Sequence, residues 1–246
     1  MNIYENLHYF CTNYWFMEIA YEDNHIIVVN KAPGEIVQGD KTGDEPLVET
    51  VRQYIKEKYN KPGNVFCGVV HRLDRPVGGL VVFAKTSKAL ARLNEMFRLG
   101  QVHKTYRCIT RQQPPKSHDR LVHYITSVER NNKSYASLTP GKGAKEAALS
   151  YSLIGKSDRY YMLEINLETG RKHQIRVQLA SIGCPIRGDL KYGDKRSNTD
   201  GSISLYAHSI SFIHPVSKQP INLTAEPPKG DKLWQSFKPV EEPQAD

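Results

Sequence analysis

Short apolar segments rich in β-branched residues recur along this 246-residue chain, and polar, turn-forming residues separate them. Runs of this length between turn signals are typical of β-strands and hairpins. The predicted strands cover residues 16–21, 25–30, 65–70, 80–84, 104–111, 120–127, 147–154, 159–167, 204–213 and 219–224. None approaches the ~18 residues that a membrane-spanning helix requires. The sequence therefore predicts a sheet-based protein without a transmembrane helix.

Three further segments have the apolar spacing of amphipathic helices. Asp44 can cap the first, which the chain enters through Pro46, and either Thr86 or Ser87 can cap the second. The third spans residues 171–182. Because strands outnumber these helices and do not alternate with them, the predicted class is α+β with a largely antiparallel sheet.

The composition is that of an ordinary globular protein, with 39 % hydrophobic and 24 % charged residues. It excludes disordered, collagen-like and coiled-coil chains. Residues 131–145 are polar and contain glycine, which predicts a mobile surface loop. No internal repeat or linker divides the sequence, so we expect one folding unit.

The net charge is positive, because 34 Lys and Arg residues against 26 Asp and Glu residues give +8 at pH 7. Such a surplus suits binding to a polyanion such as nucleic acid, but many basic proteins bind no polyanion. Where the positive charge lies along the chain must decide between the two. The N-terminal region lacks the pattern of a secretory or transit peptide. The four cysteines have neither disulfide nor zinc spacing: Cys11, Cys67, Cys108 and Cys184. We expect a cytoplasmic protein with free thiols and no metal site.

Asp74 is the first candidate for chemistry, because it lies in a polar connection between two very apolar segments. Its neighbours include His71, Arg72 and Arg75, and guanidinium groups favour the ionised carboxylate that a nucleophile or a base requires. Loops between buried strands often carry functional residues. The alternative is a structural aspartate that a surface arginine holds in a turn.

The basic stretch from 171 to 196 is the second candidate, with seven Lys or Arg residues against two aspartates. Arg171 and Lys172 fall in the first turn of the predicted helix, where positive charge costs a few tenths to about 1 kcal/mol. A bound phosphate would compensate for this cost. The alternative is a solvated basic face above a poorly capped helix.

Arg176 can point from this helix toward the sheet, and a buried arginine requires a carboxylate partner. Asp74 is an attractive partner, but Glu164 or Glu168 could equally form a structural pair with it.

Lys104 and Tyr106 share one face of a predicted strand. A strand tyrosine usually belongs to the core, but beside a nucleic-acid site its ring can stack on a base. His208 and His214 lack a third ligand at metal-like spacing, so we interpret them as structural.

Four motifs that contain these residues occur in a fixed order. They are His71-Arg72-Leu73-Asp74 with Gly79-Leu80, Lys104-x-Tyr106, Gly170-Arg171-x-His173-Gln174-Ile175-Arg176, and Gly183-x-Pro185-Ile186-x-Gly188-Asp189 with Tyr192-Gly193. Together they resemble the RluA-type family of pseudouridine synthases, over residues 19–224. The resemblance implies the pseudouridine synthase fold, a mixed, largely antiparallel central sheet with a few flanking helices and an active-site cleft across the sheet.

The resemblance implies an enzyme that isomerises uridine to pseudouridine in structured ribosomal or transfer RNA. In this reaction the N1–C1′ bond breaks, the base rotates, and C5 bonds to C1′; neither a cofactor nor a metal is expected. Asp74 would be the catalytic carboxylate, as a nucleophile or as a base, with Arg176 paired to it and Tyr106 stacked on the target base. Arg72 would support the space that the flipped uridine leaves.

The resemblance also implies that basic side chains bind the RNA phosphates. The expected substrate-binding residues are His71, Arg72, Lys104, Arg171, Lys172, His173, Arg187 and Lys191. RNA is the only partner expected, and a monomer is the default state.

The sequence departs from the family pattern in two places. Pro76-Val77-Gly78-Gly79 stands where the family usually has Thr-Ser-Gly, so a hydroxyl that could support the Asp74 loop is absent. Many relatives also carry an N-terminal RNA-binding domain of the S4 type. Here we expect residues 1–18 to be an N-terminal extension and residues 19–246 to form a single catalytic domain without an S4 domain.

Two other functions compete with the isomerase. The first is a catalytically inactive RNA-binding or RNA-folding protein on the same fold, against which the presence of Asp74, Tyr106 and Arg176 argues. The second is an enzyme such as a nucleosidase, which would release free uracil. A lone activated carboxylate suits an isomerase better than a glycoside hydrolase, which usually employs two carboxylates.

Overall fold

A twelve-stranded sheet forms the centre of the molecule, and the computed structural model describes residues 17–228 and 230–240. Cys11 and nearly all of the predicted N-terminal extension lie outside these residues. The strands are β1 Glu18–Glu22, β2 Ile26–Lys31, β3 Gly68–Val69, β4 Gly78–Ala84, β5 His103–Thr110, β6 His118–Val128, β7 Lys133–Ser137, β8 Lys145–Lys156, β9 Tyr161–Leu167, β10 Leu205–Ile213, β11 Pro220–Thr224 and β12 Lys238–Pro239.

The strand order is β1-β2-β4-β10-β5-β9-β8-β6-β7, and β3, β11 and β12 pair with β4, β10 and β8. The pairs along this sheet are antiparallel except that β4 and β10 run parallel. The predicted α+β class with a largely antiparallel sheet is therefore confirmed.

In the part of the chain that the structure describes, three α-helices cover the two faces of the sheet: α1 Leu47–Lys58, α2 Ser87–Arg98 and α3 Gln174–Ser181. Successive side chains of a strand point to opposite faces. On β4, Val81 and Phe83 pack in the core that includes residues of α1 and α3, whereas Val82 packs in the core that includes α2. No helix within the described residues is long and apolar enough to cross a membrane.

The helix starts differ in part from those predicted. Thr86 caps α2 through its side-chain oxygen. In contrast, α1 begins after Pro46 without a side-chain cap. Asp44 cannot serve as the predicted cap because its carboxylate is paired with Arg75, 2.5 Å from Nη1.

The predicted loop at 131–145 is wrong in its first half, which forms β7 and pairs with β6. Its residues alternate in burial without an apolar run, so the sequence carries little strand signal here. The predicted strand at 65–70 is also reduced, to the two residues of β3.

Gly79 allows the parallel strands β4 and β10 to meet. Its φ is +117°, and a Cβ at this position would lie 2.4 Å from the carbonyl oxygen of Ala207. Only glycine fits such a backbone path. At Gly78, a Cβ would lie 3.0 Å from the ring of Tyr206. The space around Gly78 is therefore crowded.

Glu22 links the first hairpin to α1 and to the end of β4. Its carboxylate accepts hydrogen bonds at 2.7 Å from Lys58 and Lys85 and at 2.9 Å from Tyr54 and Tyr59. Burial alone would raise the pKa of Glu22, but these four donors lower it to about 2.

We expect Glu22→Gln to destabilise the protein at pH 7 and to lose that effect in acid. A carboxyl whose pKa is lowered by folding stabilises above its unfolded pKa, and the stabilisation disappears as pH falls through the folded value. The difference from wild type in the free energy of unfolding should be about 3 kcal/mol at pH 7 and should shrink steadily between pH 5 and pH 2. Urea unfolding across this range measures it, with the exposed Glu57→Gln as the control. A difference that is independent of pH would contradict the assignment.

Candidate active site

Asp74 lies in the connection between β3 and β4, and its side chain is 29 % exposed. Backbone hydrogen bonds hold this loop: Val77 N–H donates to the carbonyl of Asp74 at 3.0 Å, and Gly34 N–H donates to the carbonyl of Arg75 at 2.8 Å. The carboxylate is therefore carried on an ordered turn.

Lys31 supports the same turn from inside the protein. The residue is 1 % exposed, and its Nζ donates to the carbonyl oxygens of Ala32 and Glu35 at 2.8 Å and of Arg75 at 3.3 Å. Burial lowers the pKa of Lys31 to about 8, against the charges of Glu35 and Asp74, which raise it. These three hydrogen bonds hold the Asp74 loop against the buried end of β2.

Arg176 binds Asp74 and a second acid. Its Nη1 lies 2.8 Å from Asp74 Oδ2, while its Nε and Nη2 donate to the two oxygens of Asp189 at 2.7 and 2.9 Å. Asp189 is 1 % exposed. Burial would lower the pKa of Arg176, but the two carboxylates raise it, so the guanidinium remains charged.

The predicted pairing of Arg176 with Asp74 is thus present, and the glutamate alternatives are excluded. Glu164 lies 3.5 Å from Arg107, and Glu168 binds Arg120 at 2.7 Å.

His173 and Tyr192 complete the surroundings of Asp74. His173 Nε2 is 3.6 Å from Asp74 Oδ2, and its Nδ1 is 2.8 Å from the hydroxyl of Tyr192. The ring of Tyr192 lies beside the guanidinium of Arg176, 5.0 Å from centroid to carbon. Burial lowers the pKa of His173 to about 4, so the imidazole is neutral at pH 7.

Tyr106 lies on β5 and is 7 % exposed. Burial raises the pKa of its hydroxyl, and the negative charge of Asp74 raises it further. The tyrosine therefore stays neutral, with its ring in the core near the carboxylate. The prediction that Asp74, Tyr106 and Arg176 meet at one place agrees with this arrangement.

A sequence model of the RNA pseudouridylate synthase family matches residues 25–181, which include Asp74, Tyr106 and Arg176. The chain belongs to this family. The resemblance to pseudouridine synthases of the RluA type is thereby confirmed.

Relatives within the pseudouridine synthases differ in the RNA that their names specify. A tRNA pseudouridine synthase C from Vibrio vulnificus is 30 % identical over 90 % of this chain and 94 % of the relative. A ribosomal large subunit pseudouridine synthase D from Zymomonas mobilis is 33 % identical over 88 % of this chain and 71 % of the relative. A tRNA pseudouridine synthase C from Pectobacterium carotovorum is 30 % identical over 89 % of this chain, but the match spans only 60 % of its length.

The fold is also that of known pseudouridine synthases. The solved structure of human RNA Pseudouridylate Synthase Domain Containing 4 superimposes with a TM-score of 0.74 at 23 % identity, over 90 % of this chain and 94 % of that one. The predicted pseudouridine synthase fold is confirmed.

The remaining basic residues expected in this synthase fall into three groups. Arg72, Arg171, Lys172 and Lys191 are exposed. The charges of Lys172 and Lys191 both lower the pKa of His173, and the charge of Asp74 acts to raise the pKa of Lys191, so both lysines lie near this site. These two lysines are the positive groups at the rim of the site.

His71 and Lys104 form a second group around Phe97. The ring of His71 stacks on Phe97 at 5.0 Å, and its Nε2 accepts the N–H of Val82 at 3.1 Å. Lys104 Nζ lies 5.2 Å from the centre of the Phe97 ring. Burial and the nearby Lys104 lower the pKa of His71 to about 3, and burial lowers the pKa of Lys104. His71 is thus engaged with the backbone of β4.

Arg187 lies apart from the others. Its guanidinium donates to Ser204 at 2.9 Å and to Asp231 at 3.3 Å, and it lies over the ring of Tyr160. These side chains are separate from those around Asp74. The expectation that Arg187 binds substrate stays a prediction.

The predicted start of α3 is also wrong, because the helix begins at Gln174 rather than Arg171. His173 precedes it with a φ of +54°, so Arg171 and Lys172 lie in the turn before the helix and not in its first turn. The argument from helix-end electrostatics does not apply to them.

Sequence reasoning missed the roles of Lys31, Tyr192 and Asp189. One of only two acids within a basic stretch, Asp189 was itself the available signal. The signal for Lys31 was its position at the end of an apolar strand, since a buried lysine needs partners.

Proposed function

We propose that this chain isomerises uridine to pseudouridine in structured RNA, with Asp74 as the reacting carboxylate and without a cofactor. The observation that carries the proposal is the Asp74 carboxylate itself, which is partly exposed, paired through Oδ2 with Arg176, and adjacent to Tyr106. Asp74 acts either as a nucleophile at C1′ or as a base on the ribose, and both routes need its ionised form. The N1–C1′ bond breaks and C5, after rotation of the base, bonds to C1′ with loss of its proton.

Tyr106 and the apolar core around it suit a reaction that must exclude water. The uracil remains between bond breaking and bond making, and water at C1′ would release it as a free base. In this proposal the ring of Tyr106 stacks on the uracil and keeps it in place. Arg72, which is exposed and lies two residues before Asp74, supports the space from which the uridine is flipped.

Release of tritium from RNA labelled at C5 of uridine tests the proposed reaction. Total RNA from a host that lacks this gene is the substrate, and base chromatography of the product follows. We expect tritium in water and pseudouridine in the RNA. Free uracil would instead identify a nucleosidase, and RNA binding without tritium release would identify an RNA-binding protein on this fold.

The rim lysines are proposed to hold phosphates, which predicts a salt-dependent affinity. Each phosphate contact contributes about 0.7 to 0.9 to the slope of log K against log salt, because binding releases counterions. Lys172→Gln should reduce this slope by about 1, measured by filter binding from 50 to 300 mM salt. Lys218→Gln, in the turn after β10 at the far end from Gly79, should leave it unchanged. Equal slopes for wild type and Lys172→Gln would contradict the assignment.

The finer features of the proposal concern the setting in which the chain acts. We propose that it works as a monomer in the cytoplasm on ribosomal or transfer RNA, and the names of its relatives include both kinds of RNA. The described cysteines Cys67, Cys108 and Cys184 are free and buried, as suits a reducing compartment.

A further inference from the structure

His173 is held in one orientation by the residues on its Nδ1 side. The hydroxyl of Tyr192 accepts the backbone N–H of Ser134 at 2.8 Å, and it lies 2.8 Å from His173 Nδ1. Tyr192 and Ser134 are both buried, so the proton of the tyrosine hydroxyl needs a protein acceptor. His173 Nδ1 supplies that acceptor. A neutral imidazole that accepts at Nδ1 carries its proton at Nε2.

The proton on Nε2 faces the carboxylate of Asp74. Nε2 lies 3.6 Å from Oδ2, the same oxygen that accepts from Arg176 at 2.8 Å. Among the described residues, no ion pair or side-chain hydrogen bond reaches Oδ1. The Arg176 guanidinium thus donates a hydrogen bond to Oδ2, and the Nε2–H of His173 faces the same oxygen as an electrostatic contact just beyond hydrogen-bond distance.

We propose that His173 is a positioning residue, fixed by Tyr192 as the Nε2–H tautomer, which together with Arg176 holds Oδ2 of Asp74 and presents Oδ1 to the ribose. This assignment rests on the proposed isomerase activity. The charged and titratable groups that face His173 are Asp74, Arg176, Lys172, Lys191 and Tyr192. Lys172 and Lys191 are exposed, whereas Arg176 is buried and donates the hydrogen bond to the carboxylate.

The same group connects the carboxylate to β7. Ser134 lies on β7, and its hydroxyl donates to the carbonyl of Lys172, which precedes His173. The left-handed backbone of His173, with a φ of +54°, turns the ring back toward Asp74. The strained turn therefore has a role in the geometry of the site.

Two substitutions at His173 separate positioning from backbone strain. Asparagine tolerates the left-handed conformation better than glutamine, so His173→Asn should be the more stable variant. Only glutamine is long enough to place an N–H near the position of Nε2. We expect His173→Asn to lose about 10- to 100-fold in kcat, with KM within about threefold, because Oδ2 loses the N–H that faces it and the carboxylate is held less well in position. His173→Gln should recover about tenfold of that loss although it is less stable.

The tautomer is measured independently of activity, from the imidazole ¹⁵N shifts of histidine-labelled protein. Wild type should show a protonated Nε2 and an unprotonated Nδ1 at position 173, and Tyr192→Phe should show a mixture of tautomers. A protonated Nδ1 in wild type would overturn the proposal, as would activity that follows stability, with asparagine above glutamine. If wild type released no tritium, the proposed function would fail, while the ¹⁵N spectrum would still decide the tautomer.

Discussion

Asp74→Asn should reduce tritium release by about 10⁴-fold or more while the protein still binds RNA. The amide has the shape of the carboxylate and can still accept a hydrogen bond from Arg176, so the fold should be retained. It lacks the negative charge and the lone-pair basicity that either mechanism at C1′ or on the ribose requires. The measurement is single-turnover tritium release with excess protein, combined with the dissociation constant for the same RNA at fixed salt.

Asp158→Asn is the matched control, because it makes the same chemical change at an exposed position between β8 and β9. It should leave both rate and affinity unchanged. Activity of Asp74→Asn within about tenfold of wild type would remove Asp74 from the proposed mechanism. A large loss of affinity with an unchanged single-turnover rate would instead make Asp74 a binding residue.

Asp189→Asn should lower the free energy of unfolding by about 3 to 5 kcal/mol, the largest stability effect that we expect from a single polar substitution here. The substitution leaves the charge of Arg176 in the interior with one partner, the partly exposed Asp74. Removal of one member of a buried ion pair costs more than the pair itself contributes, because the remaining charge is still desolvated. Urea unfolding at pH 7 measures the loss.

The double variant Arg176→Met with Asp189→Asn tests whether the unpaired charge of Arg176 causes the loss of stability in Asp189→Asn. If the unpaired charge dominates, this protein should be more stable than Asp189→Asn alone, although it should be inactive. Glu95→Gln, which removes one member of an exposed pair with Arg98, should leave the unfolding midpoint unchanged. A double variant that is less stable than the single one would mean that lost packing, not charge, dominates.

The sequence predicted the elements whose signals are local and strong. The strands β2 and β4 and the capped helix α2 lie within a few residues of their predicted positions. The pairing of Asp74 with Arg176, 102 positions apart, was also predictable, because a helix arginine directed at a sheet requires an acid.

The missed features depend on contacts that no local pattern encodes. β7 is polar and is ordered by pairing with β6 and by the hydroxyl of Tyr192, which the sequence does not place beside it. The start of α3 is displaced because His173 adopts a left-handed turn that usually signals glycine or asparagine. Asp189 lies in a stretch with many basic residues, so the sequence does not indicate that its partner is the buried Arg176.

The position of β10 has a consequence for how the chain is made. β10 begins at Leu205 yet lies in the sheet between β4 and β5. β4 follows the loop that carries Asp74, and β5 carries Tyr106. During synthesis on the ribosome these two strands emerge long before the strand that joins them, so each waits with an unpaired edge. The two halves of the site can meet only after a loop of more than a hundred residues closes between β4 and β10, and such non-local pairing is a slow step of folding. The catalytic cleft is therefore among the last features of the protein to form.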